Sequence, residues 1–164
     1  MPSAEERSPV VRPAARLVLL DDLDRILLVR FEDSSRQVSW WATPGGALKP
    51  GEGHEEALRR EILEETGNRL QDPGPWIWTR EHVVQLAGES YRQQERFYLN
   101  RTDAFEPVAL GLEPDEVTYF RRMRWWTLTE LEATSDELSP RALPLLIRRL
   151  VEDGPPLEPL TVGI

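Results

Sequence analysis

Apolar residues along this chain come in short, β-prone runs before they ever come at helical spacing. Residues 16–20 (Arg-Leu-Val-Leu-Leu) and 25–31 (Arg-Ile-Leu-Leu-Val-Arg-Phe) are two such runs. Asp21, Asp22, Leu23 and Asp24 lie between them and supply turn chemistry, so a hairpin is predicted. A third strand is predicted at 39–43, ended by Pro44-Gly45-Gly46. From 55 to 66 there is no Pro or Gly and many good helix formers, and Gly67-Asn68 follows as a stop, which predicts a helix. Strands are expected at 76–86, 95–100 and 117–127. A closing amphipathic helix is expected at 138–150, with Leu143, Leu146, Ile147 and Leu150 on one stripe. Pro2, Pro9 and Pro13 mark residues 1–12 as a flexible lead-in, and Pro155, Pro156 and Pro159 mark 153–164 as a loose tail. One domain over 13–152 remains, in which strands surround a central helix: an α/β fold with a mixed sheet between helical layers.

The length of 164 residues fits one such domain, and 40% hydrophobic with 30% charged residues is ordinary globular usage. With no Cys, disulfide and thiolate-metal chemistry are excluded. No run approaches the roughly 20 apolar residues of a spanning helix, and the polar start does not read as a signal peptide, so a cytoplasmic protein is expected. The net charge of −9 argues against DNA and anionic membranes as partners. A phosphorylated small molecule remains compatible with that charge if a multivalent cation mediates. Oligomeric state is left open, a homodimer included.

The chemistry concentrates in Gly46-Ala47-Leu48-Lys49-Pro50-Gly51-Glu52 and Arg60-Glu61-Ile62-Leu63-Glu64-Glu65-Thr66-Gly67. On a helix, Glu61, Glu64 and Glu65 share a sector of about 100°. Unaided, like charges at that spacing repel by a few tenths of a kcal/mol per pair. A hard divalent cation, Mg2+ or Mn2+, would remove the penalty, because such ions favour oxygen ligands. The backbone at Pro44-Gly45-Gly46 offers close approach to a phosphate or metal, since glycine has no Cβ. Arg60 offers a planar fork for Glu52 or Glu64. A charged helix face alone is ordinary solvated surface. Chance would give the whole set at these offsets on the order of once in a hundred thousand chains.

These residues resemble the Nudix box, G-x5-E-x7-R-E-U-x-E-E-x-G-U with U bulky and apolar, over Gly46 to Asn68. Asn68 departs from the last U, with Leu70 close by as a substitute. The resemblance implies a Nudix-type α/β/α sandwich and a nucleotide pyrophosphohydrolase: metal-dependent hydrolysis of a nucleoside diphosphate linked to another group. It implies Glu61, Glu64 and Glu65 as metal ligands and catalytic residues, with the Gly45 carbonyl as a further ligand. Arg60 would orient the acidic cluster, Glu52 would be its ion-pair partner, and Gly45 and Gly46 would meet the substrate. Acids of a later loop, Glu113, Asp115 and Glu116, are candidates for the general base, as is Glu61. The alternative is a catalytically silent Nudix-fold module that binds a nucleotide, and such relatives typically lose box glutamates. His54 is expected near the helix start facing solvent. One tryptophan of each pair (Trp40 and Trp41, Trp76 and Trp78, Trp125 and Trp126) is expected in the core, its neighbour being available to a base, and Arg92, Arg96 and Tyr98 are further candidates for substrate contact. The box leaves the identity of the nucleotide open.

Overall fold

The computed structural model describes residues 8–86, 88–108 and 120–164. The predicted hairpin joins β1 (Val10–Leu20) to β2 (Ile26–Asp33). Its turn is held by the buried Asp21 carboxylate, which accepts the N–H of Leu23 at 3.0 Å and of Arg25 at 2.8 Å. An aspartate that satisfies the backbone ahead of it is the usual chemistry of such a turn. β3 (Val38–Ala42) and β4 (Gly45–Ala47) follow, then α1 (His54–Thr66), β5 (Trp76–Leu86) and β6 (Glu89–Arg101). The chain continues through β7 (Phe120–Trp126), α2 (Leu128–Ala133), β8 (Leu138–Ser139), α3 (Leu143–Asp153) and β9 (Leu160–Thr161).

The sheet is mixed, in the order β8-β3-β2-β1-β6-β5-β9, with β4 on β1 and β7 on β2. β1 is its axis. It pairs parallel with β6 from Val10↔Tyr91 to Leu20↔Arg101, and antiparallel with β4 from Ala14↔Ala47 to Arg16↔Gly45. Both faces of β1 are covered, so its apolar run is nearly continuous rather than alternating. Ala15, Leu17 and Leu19 point to Leu58 and Ile62 of α1. Val18 and Leu20 point the other way, to a core with Trp41, Trp78, Phe97, Trp126 and the α3 stripe Leu143, Leu146, Ile147 and Leu150. This is the expected helix–sheet–helix layering.

Both ends differ from expectation. β1 begins at Val10, so Val10 to Arg12 belong to the sheet; a parallel partner, Tyr91 to Gln93, gives their backbone a ladder that local sequence does not announce. The C-terminal tail also returns to the sheet. β9 pairs parallel with β5, the Val162 N–H donates to the Thr79 carbonyl at 2.9 Å, and the Val162 side chain is buried. Its prolines end α3 without preventing that return. The second helix runs Leu143–Asp153 rather than 138–150, because Pro140 interrupts the stretch and Leu138–Ser139 pairs with β3. α2 is an addition, its N-cap Thr127 accepting the Glu130 N–H at 3.1 Å.

Candidate active site

α1 starts after Gly53 with Glu55 and Glu56 in its first turn, where negative charge suits the helix dipole. It ends at Gly67, whose φ of 76° is left-handed and whose N–H reaches the Leu63 carbonyl. Between these ends the buried face carries Ala57, Leu58, Ile62, and also Glu61 and Glu65. Two carboxylates on a buried face need partners. Arg60 supplies one for Glu61, and the Gly45 N–H lies near Glu65. Arg60 Nε and Nη2 grip Glu52 in a two-pronged pair, each at 2.8 Å, its Nη1 donates to Glu61 at 2.9 Å and Glu64 at 3.4 Å, and Nη2 also reaches the Ala47 carbonyl at 3.1 Å. Hydrogen bonding to Glu52 raises the Arg60 pKa above its ordinary value despite burial. The same bonds hold the Glu52 carboxyl at about 2, with the Lys49 N–H adding to the effect. One guanidinium thus ties the loop before α1 to two of the three glutamates and offsets their mutual repulsion.

β4 closes the other side. The Gly45 N–H points to Glu65 at 3.4 Å, and its carbonyl accepts from Arg16 Nη1 at 3.3 Å. Gly45 has φ of 136°, and a Cβ there would lie 2.1 Å from the Ala15 carbonyl oxygen. A Cβ on Gly46 would lie 2.6 Å from Glu61 Oε1. The two glycines are therefore required by the neighbouring strand and by Glu61; the space a Gly46 side chain would fill already holds a carboxylate.

A family model described as NUDIX domain matches residues 10–146. The chain belongs to the NUDIX family. It is 43% identical over 99 residues to the nucleoside triphosphatase NudI of Enterobacter sp. (strain 638), covering 57% of this chain and 70% of that protein. Against NudI of Salmonella arizonae it is 43% identical over 61 residues, 36% of this chain and 42% of the relative. With a Bacillus subtilis (strain 168) relative the match spans only 33% of that protein's length. The fold resembles a MutT protein from Methanosarcina mazei Go1, with TM-score 0.67 and 17% identity over 89% of this chain and 99% of that one. A MutT NUDIX hydrolase from Burkholderia pseudomallei gives TM-score 0.60 and 24% identity over 82% and 95%.

Asn68 is half-buried and its N–H donates to Thr66 Oγ1, while Leu70 packs with Leu58 and Ile62 and takes the apolar role of the last box position. Glu113, Asp115 and Glu116 lie outside the described residues. Trp41, Trp78 and Trp126 are buried, as one of each pair should be. Their neighbours are engaged in packing: Trp40 stacks on Phe31, Arg96 lies 4.1 Å over the Trp76 ring, and Trp125 donates to the Phe105 carbonyl. A bulge between Trp76 and Trp78 separates two positions that would otherwise share a face. Tyr98 belongs to the core under α1, and exposed Arg92 pairs with Glu81 on the neighbouring strand. His54 is half-buried, and burial, then Arg96, lowers its pKa. No helix among the described residues is long and apolar enough to cross a membrane.

Whether this Nudix site suits a divalent cation can be tested on its own atoms. Glu61 is 3% exposed and its Oε2 has no hydrogen-bond partner, an arrangement that leaves a buried carboxylate oxygen for an incoming cation. The donors available are carboxylate and carbonyl oxygens, the set that hard ions prefer. Among the described residues, no group of three acidic or histidine side chains is arranged to hold a metal ion, and Arg60 Nη1 bridges Glu61 and Glu64. The donor set fits, with Arg60 as the cation that a metal would join.

Proposed function

We propose that this NUDIX protein hydrolyses a pyrophosphate bond of a nucleoside diphosphate linked to another group, with Mg2+ or Mn2+ held by Glu61, Glu64 and Glu65; the Gly45 carbonyl, expected as a further ligand, is engaged by Arg16 instead. The observation that carries the reading is the buried Glu61, one oxygen fixed by Arg60 and the other without a donor, on a helix face shared with Glu64 and Glu65. Nucleoside triphosphates are the first substrates to try, because NudI relatives at 43% identity are named nucleoside triphosphatases.

The chemistry such an ion supplies when bound is neutralisation of the phosphoryl oxygens and acidification of water. Held by Glu61, Glu64 and Glu65, such an ion would favour in-line attack of water on one phosphorus with the bridging oxygen leaving. The chain's own residues hold that arrangement still. Glu52 locks Arg60, Arg60 fixes the Glu61 carboxylate, and Gly46 leaves room for it. Preorganised charge of this kind avoids reorganisation during reaction.

The test is hydrolysis of a nucleotide panel by wild type, Glu64→Gln and Glu65→Gln, together with melting in EDTA and in Mg2+. Each variant should lose at least about a hundredfold in kcat while keeping its fold. Mg2+ should raise the wild-type Tm and leave Glu64→Gln nearly unmoved. Wild-type turnover in both variants, or no Mg2+ effect on the wild-type Tm, would end the reading.

A further inference from the structure

On the sheet face opposite α1, Arg16 and Arg80 contact one buried carboxylate, Glu95, and a third arginine, Arg12, lies one row away on Gln93. Arg12, Ala14 and Arg16 alternate along β1 onto the same face as Val18, and the ladders continue each row across the sheet. Arg12 lies beside Gln93 and then His82; Ala14 lies beside Glu95 and then Arg80. Glu95 is 1% exposed and accepts from Arg80 Nε at 2.9 Å and Nη2 at 2.7 Å, from the Gln93 amide, and faces His82 Nε2 at 3.3 Å and Arg16 Nη2 at 3.5 Å. Burial pushes the Glu95 carboxyl up, but Arg16, His82, Arg80 and Gln93 outweigh it and hold the group well below the usual carboxylate range.

The charges do not balance. Three guanidinium groups share Glu95 and, within range of Arg12, a Glu61 that Arg60 already holds, in a chain whose net charge is −9. Arg80 is fully used, its two bonds to Glu95 supplemented by one to Ser139. Arg16 is not: its Nε is buried without a partner, and its two remaining contacts, to Gly45 and Glu95, are long. Arg12 is half-buried, and it donates to the neutral amide oxygen of Gln93 rather than to a carboxylate. Burial and Arg16 both disfavour its charge, and Glu61 and Glu95 lie within electrostatic range. Holding excess cations in a desolvated cluster is unfavourable unless an anion completes it. Guanidinium is also the group best suited to a phosphate's planar pairs of oxygens.

We infer that Arg12 is a substrate-binding residue, receiving a non-reacting phosphoryl group while the reacting one lies at Glu61, and that Arg16, Gln93 and Glu95 are the positioning residues that aim it. The identity of the anion as the substrate's own phosphate rests on the hydrolase reading above. The Gly45 carbonyl, held by Arg16, joins this cluster to β4 and through it to Glu65.

The experiment separates binding from hydrolysis. Inorganic triphosphate is titrated into the full chain in EDTA, with the arginine Nε–H resonances as the signal, for wild type, Arg12→Gln, Arg12→Lys, Glu64→Gln and the surface control Arg101→Gln. Wild type should show a saturable shift, weakened at least about tenfold in Arg12→Gln and less in Arg12→Lys, which keeps charge but loses the fork. Arg101→Gln should bind as wild type does, and Glu64→Gln, which removes a neighbouring negative charge, should bind no more weakly. With Mg2+ and the best nucleotide of the panel, Arg12→Gln should raise KM about tenfold and leave kcat within about threefold. Triphosphate binding in Arg12→Gln within twofold of wild type, or no saturable binding in wild type, would overturn the inference. Absence of hydrolysis in wild type would overturn the proposed activity instead, since the metal-free titration needs no turnover. If Arg12→Gln does not fold, Arg12→Lys decides by the same titration.

Discussion

Glu52→Gln tests the clamp on which the site geometry depends. The carboxylate meets Arg60 through two 2.8 Å contacts and also accepts the Lys49 N–H, and these hold its pKa at about 2 against an ordinary 4.5. That difference corresponds to about 3 kcal/mol, which screening by the remaining solvent contact trims to about 2 kcal/mol. Because the folded-state pKa is depressed, the stabilisation is complete above 4.5 and is lost as pH falls toward 2. Urea unfolding followed by tryptophan fluorescence should therefore show Glu52→Gln about 2 kcal/mol less stable than wild type at pH 7, and roughly half that at pH 3. The corresponding fall in Tm at pH 7 is about 4–8 °C. Other depressed carboxylates, Asp33 and Glu95 among them, titrate in both proteins and drop out of the difference. A gap under about 0.5 kcal/mol at pH 7, or one that does not narrow on acidification, would refute the argument.

Gly46→Ala should separate activity from stability: its Cβ meets the mobile end of Glu61 at 2.6 Å, so the carboxylate must move off Arg60. A loss of about a hundredfold in kcat with a small Tm change is expected, whereas Gly45→Ala, which strikes the Ala15 backbone at 2.1 Å, should lower Tm severely. Glu95→Gln should lose about 3–5 kcal/mol in chemical denaturation at pH 7, because Arg80 is left buried without its counter-charge; a loss under about 1 kcal/mol would contradict the pairing.

What was legible in the sequence was what is local. α1 announces its length through the absence of Gly and Pro and its end through Gly67, and the three glutamates and Arg60 that share it came with it. The hairpin at Asp21 and the α3 stripe are equally short-range signals. The parts that were missed depend on partners far along the chain. Val10 to Arg12 become strand because β6 lies beside them, and Glu95 meets Arg16 across 79 residues of sequence. Pro13 looked like a breaker, yet its carbonyl accepts the Leu48 N–H at 3.0 Å and the strand runs through it. One signal could have exposed the second cluster. Arg12 and Arg16 lie on the same face of a strand, and Gln93 and Glu95 share a face with apolar Phe97 and Leu99 in the same way, so a cation buried on one strand calls for an acceptor on the next.

Gly45 touches both clusters. Its N–H faces the acidic group on α1 through Glu65, and its carbonyl faces the cationic group on the sheet through Arg16. A donor turned toward carboxylates and an acceptor turned toward guanidinium place each backbone group where the local field favours it. The φ of 136° and the absence of a Cβ let this residue lie against β1, where a side chain would strike the Ala15 carbonyl. A pyrophosphate held across this junction would meet negative side chains that require a cation on one side and excess positive charge on the other. On the proposed reading that asymmetry would orient the substrate, with the phosphorus to be attacked nearer Glu61 and the non-reacting group on Arg12.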